Sequence, residues 1–384
     1  MIGIVRPIRV FFVMCLGVIL TTPAFAGAIN TSAIDDRIQD MMNATNMVGL
    51  AVAIVEDGEI TFVKGYGETV KGNGDKITGD TVFRWASVSK GVAAATVLNL
   101  AEDGHFGLSS PIKAHAPSLN LPESKYMATV EDILTHRVGI VRNAYDTRIE
   151  DGHDAKLVRA ALKDLPRLCE PGDCHTYQNV AYDAVAEMVE NATGVPYKSI
   201  VSERLFKPLD MTTASLSIQG LQQSKSWARP HNLSGRKIER VKPTYYRLPG
   251  AAGVNSSVTD LAKWMMAQMR SGDDVVPSVM QAELQTPRVY TPRENRLMKW
   301  RYPDMKNAHY GLGWRVYDYA GHRVIGHRGA VEGYRAQVLF DPEKQSGIAV
   351  MWNSPHSRPV GLQFEFLDQL YGRPGKNWIR LAKK

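Results

Sequence analysis

Trp85-Ala86-Ser87-Val88-Ser89-Lys90-Gly91 sets a hydroxyl and an amine three residues apart where a helix is expected to begin. Residues at i and i+3 share a helix face, so Ser87 and Lys90 should lie side by side. Thr81–Trp85 before them reads as extended, and Val92–Ala101 after them as an apolar, largely buried helix. Ser87 would then occupy the first turn, where free backbone N–H groups and the positive end of the helix dipole favour a developing oxyanion. A serine hydroxyl becomes a nucleophile only when a base takes its proton, and a lysine desolvated against apolar surface is one such base. Taken alone, the tetrad fits a serine N-cap followed by a solvated lysine equally well.

The remainder of the chain supplies a sheet in two parts. Val48–Val55 and Glu59–Gly67 flank Asp57-Gly58, a dipeptide that tolerates positive φ, and this reads as a β-hairpin. Residues about 31–45, with Ile34, Ile38, Met41 and Met42 on one side, read as an amphipathic helix. From about 112 to 300 the pattern is helices and long loops, including Val130–Ile140 and Val180–Val189. Strands return at Tyr310–Val316, Gly321–Gly326, Tyr334–Phe340 and Ser346–Trp352, spaced as an antiparallel meander, before a last helix over about 359–371. The expected architecture is α+β: an antiparallel sheet of N- and C-terminal strands with flanking helices and a large inserted helical region. The sheet lobe would take residues about 27–86 and 305–384, the helical lobe about 87–304, with a cleft between them.

Residues 1–26 read separately as a secretory signal peptide. Arg6 and Arg9 precede the short apolar run Val10–Leu20, and Ala24-Phe25-Ala26 supplies a small-residue cleavage pattern. The run is shorter than the roughly 20 residues that span a bilayer, and no later segment is long and apolar enough. An exported protein, periplasmic or secreted, is expected. Its formal charge of +7 becomes +5 without Arg6 and Arg9. Because its lysines and arginines are scattered, nucleic acid is not indicated, whereas an anionic envelope surface or substrate suits the charge. After Cys15 leaves with the signal, Cys169 and Cys174 remain in a disulfide-permissive setting and are expected to pair, two free thiols being the alternative. His105, His175 and His322 show no metal-ligand spacing with Cys or acidic residues, so neither metal nor cofactor is expected. His136 is expected to tie a turn.

Two further stretches bear on Ser87. Pro171-Gly172 leads to Tyr177-Gln178-Asn179, and His327-Arg328-Gly329 falls where a sheet strand is expected to end. Ser-x-x-Lys, Tyr-x-Asn and His-x-Gly, in this order, resemble the serine β-lactamase and penicillin-binding-protein superfamily. The nearest likeness is to the branch holding class C β-lactamases, D-alanyl-D-alanine carboxypeptidases, D-aminopeptidases and esterases. Leu134-Thr135-His136-x-x-Gly139, Gly250–Ser256 before Asp260-Leu261-Ala262, Tyr310–Trp314 and Gly326–Gly329 followed by Gly333-Tyr334 extend the resemblance over nearly all of the mature chain.

The resemblance implies the β-lactamase/transpeptidase-like fold and an acyl-enzyme on Ser87. Lys90 and Tyr177 would share the acid and base work, and Asn179 would bind the substrate's acyl side. The backbone N–H groups of Ser87 and Ala330, the residue after Gly329, would hold the oxyanion. His327 stands where many relatives carry lysine and would complete the hydrogen-bond network near Tyr177 and Ser87. Arg328 replaces a threonine that helps hold a substrate carboxylate, and it either takes over that task or faces solvent. The implied substrate is a small molecule or peptide, particularly a D-residue-containing cell-wall type, or a carboxylic ester. A class C-like β-lactamase is the alternative enzyme, and a catalytically silent penicillin-binding or regulatory scaffold the alternative of another class. The pocket would be built by loops about 140–170 and 215–300, where Arg229, Tyr245, Tyr246 and Arg247 lie.

Overall fold

The computed structural model describes residue 3 and residues 29–382. The expected signal peptide, residue 3 apart, lies outside the described residues. Among the described residues there are ten strands: β1 (Gly49–Glu56), β2 (Glu59–Gly67), β3 (Phe83–Arg84), β4 (Asn255–Ser256), β5 (Val289–Tyr290), β6 (Met305–Tyr310), β7 (Arg315–Tyr319), β8 (His322–Val331), β9 (Tyr334–Asp341) and β10 (Ser346–Trp352). Eight of them form one antiparallel sheet in the order β2-β1-β10-β9-β8-β7-β6-β5, and β3 pairs with β4 apart from it. N-terminal β1 therefore pairs with C-terminal β10, with Leu50 opposite Trp352. Hairpins close the meander, and the Asp57-Gly58 turn between β1 and β2 has positive φ at both residues, as its composition predicts.

Both faces of the sheet are covered, which is why β1 and β10 are apolar almost throughout. Ala51, Ala53 and Val55 face one apolar cluster, whereas Leu50, Val52 and Ile54 face another. The second cluster is closed by helix α1 (Thr31–Asn43), through Ile34, Ile38 and Met41, and by the C-terminal helix Leu362–Leu370. Each such side chain contributes about 1.5–3 kcal/mol when fully buried. On the other face lies the helix Val258–Ala267, packed on β1, β2, β9 and β10, and the same cluster takes in helix α2 (Ser89–Glu102), buried nearly all round because its residues are small and apolar on every side. The chain thus matches the expected α+β class.

Several element boundaries differ from the sequence reading, among them the helix expected over Val130–Ile140, which ends at Leu134. The stretch 310–316 is two strands separated by a break at 311–314, because Gly313 takes φ +74° and its backbone packs onto α2: a Cβ there would meet the Lys90 carbonyl oxygen at 2.5 Å. Strand β8 does not stop at His327. It runs on to Val331 and turns through Glu332-Gly333 into β9, with Val331 opposite Tyr334. Tyr182 precedes its helix, which spans Ala184–Thr193. Among the described residues no helix is long and apolar enough to cross a membrane.

Cys169 and Cys174 are joined, with Cα atoms 6.3 Å apart. The loop they close is also held by backbone bonds from Gly172 N–H to the Arg137 carbonyl and from Leu168 N–H to that of Gly139. Chain entropy assigns so short a loop a stabilisation of about 2 kcal/mol. The double variant Cys169→Ser/Cys174→Ser should lose that amount in urea unfolding, and an unchanged midpoint would show that the backbone bonds suffice.

Candidate active site

The turn that carries Ser87 is fixed from one side by β3 and β4. The Trp85 N–H donates to the Val254 carbonyl at 2.9 Å and its indole N–H to Ser256 Oγ at 2.8 Å. Ala86 then adopts φ +48°, a left-handed conformation that costs an alanine roughly 1–2 kcal/mol. This reversal leads into a 3₁₀ turn, Ala86–Val88, in which Ser87 stays half-buried while Ala86 and Val88 are fully buried. The serine lies one turn ahead of α2 rather than within its first turn, and its N–H remains among the leading free donors.

Lys90 is fully buried, and its Nζ donates to three acceptors: Ser87 Oγ at 3.3 Å, Asn179 Oδ1 at 2.7 Å and the Ala251 carbonyl at 3.0 Å. Three acceptors match the three N–H bonds of a lysine ammonium. Each is itself held in place. Asn179 Nδ2 donates to Asp146 Oδ2 at 2.7 Å. Ala251 lies in the short helix Pro249–Ala252, whose Gly250 N–H donates to Asp183 Oδ1 at 2.9 Å, and Asp183 is ion-paired with buried Arg159 at 2.7 Å. The Tyr182 hydroxyl donates to the Lys90 carbonyl at 2.8 Å.

The Tyr177 ring lies over this lysine, with Nζ 4.8 Å from its centroid. Behind it stands His136, ring to ring at 4.1 Å, whose Nδ1 accepts the Gln178 backbone N–H at 3.1 Å. His136 thus ties a turn, as expected, and also backs the tyrosine. His327 is buried in the same cluster. Its Nδ1 meets the Arg328 carbonyl at 2.9 Å and therefore carries the proton, so Nε2 accepts from the Tyr310 hydroxyl at 3.0 Å. Both ring nitrogens are engaged, and His327 reaches Tyr177 only by ring packing at 6.3 Å.

Strand β7 pairs with β8 only as far as Gly326, whereas β9 continues to Val331. The stretch His327–Val331 is therefore a sheet edge on one side, and that edge faces Ser87. Gly329 makes the approach possible: a Cβ there would meet the Trp85 carbonyl oxygen at 1.9 Å. A cleft of about 700 Å³ follows this edge, lined by Ser87, Tyr177, Asn179, His327, Arg328, Gly329 and Ala330. All the candidate residues outside the disulfide border it except Lys90, which lies beneath. Arg328 lines the cleft, yet its guanidinium is bound to Glu294, which also meets Arg315 at 3.5 Å. Burial alone would raise the Glu294 carboxyl, but Arg315 and Arg328 outweigh it and hold it at about 2. Asp146, Arg315 and Glu294 escape the sequence reading because each works through a partner distant in the chain. Of the four loop residues singled out there, Tyr245 lines the cleft, whereas Arg229 stacks on Trp227 and Tyr246 bonds Asn255. Among the described residues no three His, Cys, Asp or Glu side chains gather as a metal-holding group.

His136, His175 and His327 are all pushed below the ordinary 6.5, first by burial and then by nearby cations, Arg315 among them for each; His175 falls to about 3. In the unfolded chain each would take up a proton near 6.5, so the unfolded state binds more protons below that pH. Their stabilisation is fully present above about 6.5 and is lost as pH falls, by up to about 1.4 kcal/mol per pH unit for each histidine. Urea unfolding at pH 7.5 and pH 5 should show this loss, and His327→Gln should show less of it. An equal pH dependence in the variant would refute the assignment for His327.

The family model described as Beta-lactamase matches residues 34–370. The unguisins hydrolase ungD' of Aspergillus campestris is 24% identical over 336 residues, covering 83% of this chain and 61% of that protein. Protein flp of Staphylococcus aureus is 25% identical over 332 residues, covering 83% of this chain and 62% of its own length. The chain thus spans less than two thirds of the length of these curated relatives. Among solved structures, the octameric penicillin-binding protein homologue from Pyrococcus abyssi superposes with a TM-score of 0.80 at 23% identity, over 90% of this chain and 78% of that one. With its fold, its ordered motifs and a family match over most of its length, the chain belongs to the beta-lactamase family.

Proposed function

We propose that the protein is an exported serine hydrolase that works through an acyl-enzyme on Ser87. Family membership supports serine-hydrolase chemistry, and one observation carries the assignment to these residues: Lys90 Nζ, beneath the Tyr177 ring, reaches Ser87 Oγ on the floor of a cleft. Since Lys90 already donates to three acceptors, the proton-accepting part falls to Tyr177, with Lys90 as the adjoining positive charge. With Tyr177 entering as the phenolate beside the Lys90 ammonium, Ser87 Oγ attacks the substrate carbonyl and its proton passes to the Tyr177 oxygen. The carbonyl oxygen gathers charge against the backbone N–H groups of Ser87 and Ala330. The departing amine or alkoxide recovers the proton from Tyr177, and water then releases the acyl group by the same steps in reverse. Asn179 has one Nδ2 hydrogen left for the substrate's acyl side once Asp146 is served.

The substrate class this reading favours is a peptide with D-residues, of cell-wall type, or a carboxylic ester. The exposed β8 edge suits an extended chain that adds as a strand. Charge narrows the choice further. Arg142, Arg293, Arg315, Arg328 and Arg335 line the cleft against Glu294 and Asp146, which favours a carboxylate-bearing substrate. Arg335 is half-buried, stands between Ala330 and Trp352 in strand register, and has no carboxylate partner among the described residues. Similarity to a hydrolase of unguisins and to a penicillin-binding protein homologue agrees with acyl chemistry on peptide-like compounds.

Intact mass after incubation with a penicillin should show a covalent adduct on the wild type and none on Ser87→Ala. Rapid loss of the drug without an adduct would reassign the protein as a β-lactamase; no adduct, no drug loss and no cleavage of esters or D-residue peptides would leave a silent scaffold. Arg335→Gln should raise KM more than about tenfold for a carboxylate-bearing substrate while kcat and the KM of a neutral ester stay put, as expected for a lost charge-assisted hydrogen bond. Equal effects on both substrates would remove Arg335 from recognition.

A further inference from the structure

The helix Pro292–Arg301 stands at the lip of the cleft and has two unlike faces. Inward, Glu294 and Met298 are buried; Glu294 accepts from the Tyr317 hydroxyl at 3.1 Å and binds Arg315 and Arg328, and Met298 joins the apolar cluster behind the sheet. Outward, Arg293, Arg296, Leu297, Lys299, Trp300 and Arg301 are all exposed. The helix's one carboxylate is thus turned inward, and none of its four cations has a carboxylate partner among the described residues. Leu297 and Trp300, at i and i+3, share a face with Arg293 and Arg296, each four residues before one of them. Trp300 is 76% exposed, an unusual state for the largest apolar side chain, and Tyr290 is 52% exposed on the neighbouring strand β5.

A solvated surface accounts for unpaired cations but not for a tryptophan and a leucine set among them. A soluble polyanion would reward the charges and leave the Trp300 ring with only the Arg301 guanidinium over it, 5.3 Å from its centroid. An anionic bilayer rewards both, since lipid headgroups attract the cations while an indole and an aliphatic side chain settle at the headgroup boundary. We propose that this helix docks the protein onto an anionic lipid bilayer, with Trp300 and Leu297 entering the interface. Arg293, Glu294 and Leu297 also line the cleft, so docking turns the cleft mouth toward the bilayer surface. That orientation serves membrane-tethered substrates, a consequence resting on the hydrolase reading above; the docking itself does not.

The test is co-sedimentation of the full-length protein with vesicles of phosphatidylcholine alone or mixed with phosphatidylglycerol. It is made on wild type, on Arg296→Glu/Lys299→Glu/Arg301→Glu and on Trp300→Ala, none of which touches the cleft lining. Wild type should bind only the anionic vesicles and release at about 0.5 M salt, where screening reaches only a few ångströms. The triple variant should bind about a hundredfold more weakly, at roughly fivefold per cation, and Trp300→Ala severalfold more weakly. Equal binding to neutral vesicles, or full binding by the triple variant, would overturn the proposal. Unchanged binding by Trp300→Ala would also overturn it, in favour of a polyanion rather than a bilayer. Because Ser87→Ala leaves the helix untouched, its vesicle binding separates failure of docking from failure of the hydrolase reading.

Discussion

A lysine head group with no exposure to water constrains the whole centre of this molecule. Burying such a charge costs several kcal/mol unless every N–H meets an acceptor. The acceptors for Lys90 come from its own turn, from Asn179 and from the Ala251 carbonyl, 89 and 161 residues away. The lysine therefore ties three distant segments to one point. Their own supports, Asp146 under Asn179 and the Arg159–Asp183 pair under Gly250, follow from the need to hold those acceptors still. A second constraint comes from the backbone at Ala86, whose left-handed conformation is retained only because Trp85 and Ser89 are bonded to the Val254–Ser256 segment on both sides of it.

The sheet completes the centre by stopping short. Were β7 as long as β8, the edge at His327–Val331 would be paired and no substrate backbone could reach it. The departure of the chain at Gly311–Trp314 shortens β7, and the same break packs Gly313 on α2 just behind Lys90. One irregular stretch thus opens the edge and buttresses the lysine. Gly329 plays the matching part on β8, since any side chain there would drive the strand away from Trp85.

Legibility in the sequence follows the range of the interactions. The Asp57-Gly58 hairpin, α1 and the buried strands β9 and β10 announce themselves through local turn chemistry and periodicity, and they stand where those signals put them. Ser87, Lys90, Tyr177 and Asn179 were found because their order resembles a known pattern, and the fold does bring them together. The break at 311–314 was hidden because Tyr, Leu and Trp read as strand residues and only the packing of α2 explains the reversal. Asp146 and Glu294 were invisible for another reason. Their partners Asn179 and Arg328 lie 33 and 34 residues away, and no period or composition marks such a pairing.

His327 illustrates how a changed residue is absorbed. The resemblance sets a lysine at this place, so a positive charge beside the tyrosine is part of its pattern. Here the imidazole is buried, engaged at both nitrogens and held neutral, and it brings no charge. Arg315 lies close by, its guanidinium carbon 5.6 Å from the centroid of the Tyr177 ring and 5.5 Å from that of Tyr310. It is the first residue of β7, directly after the break that opens the β8 edge, and Glu294 fixes its direction. The charge therefore reaches Tyr177 from the neighbouring strand, and because a guanidinium does not deprotonate, it stays at any pH the fold survives. The histidine at 327 is then free to serve shape: a flat, neutral side chain that packs against Tyr310 and Tyr177 without adding another cation to a site that already holds Lys90 and Arg315.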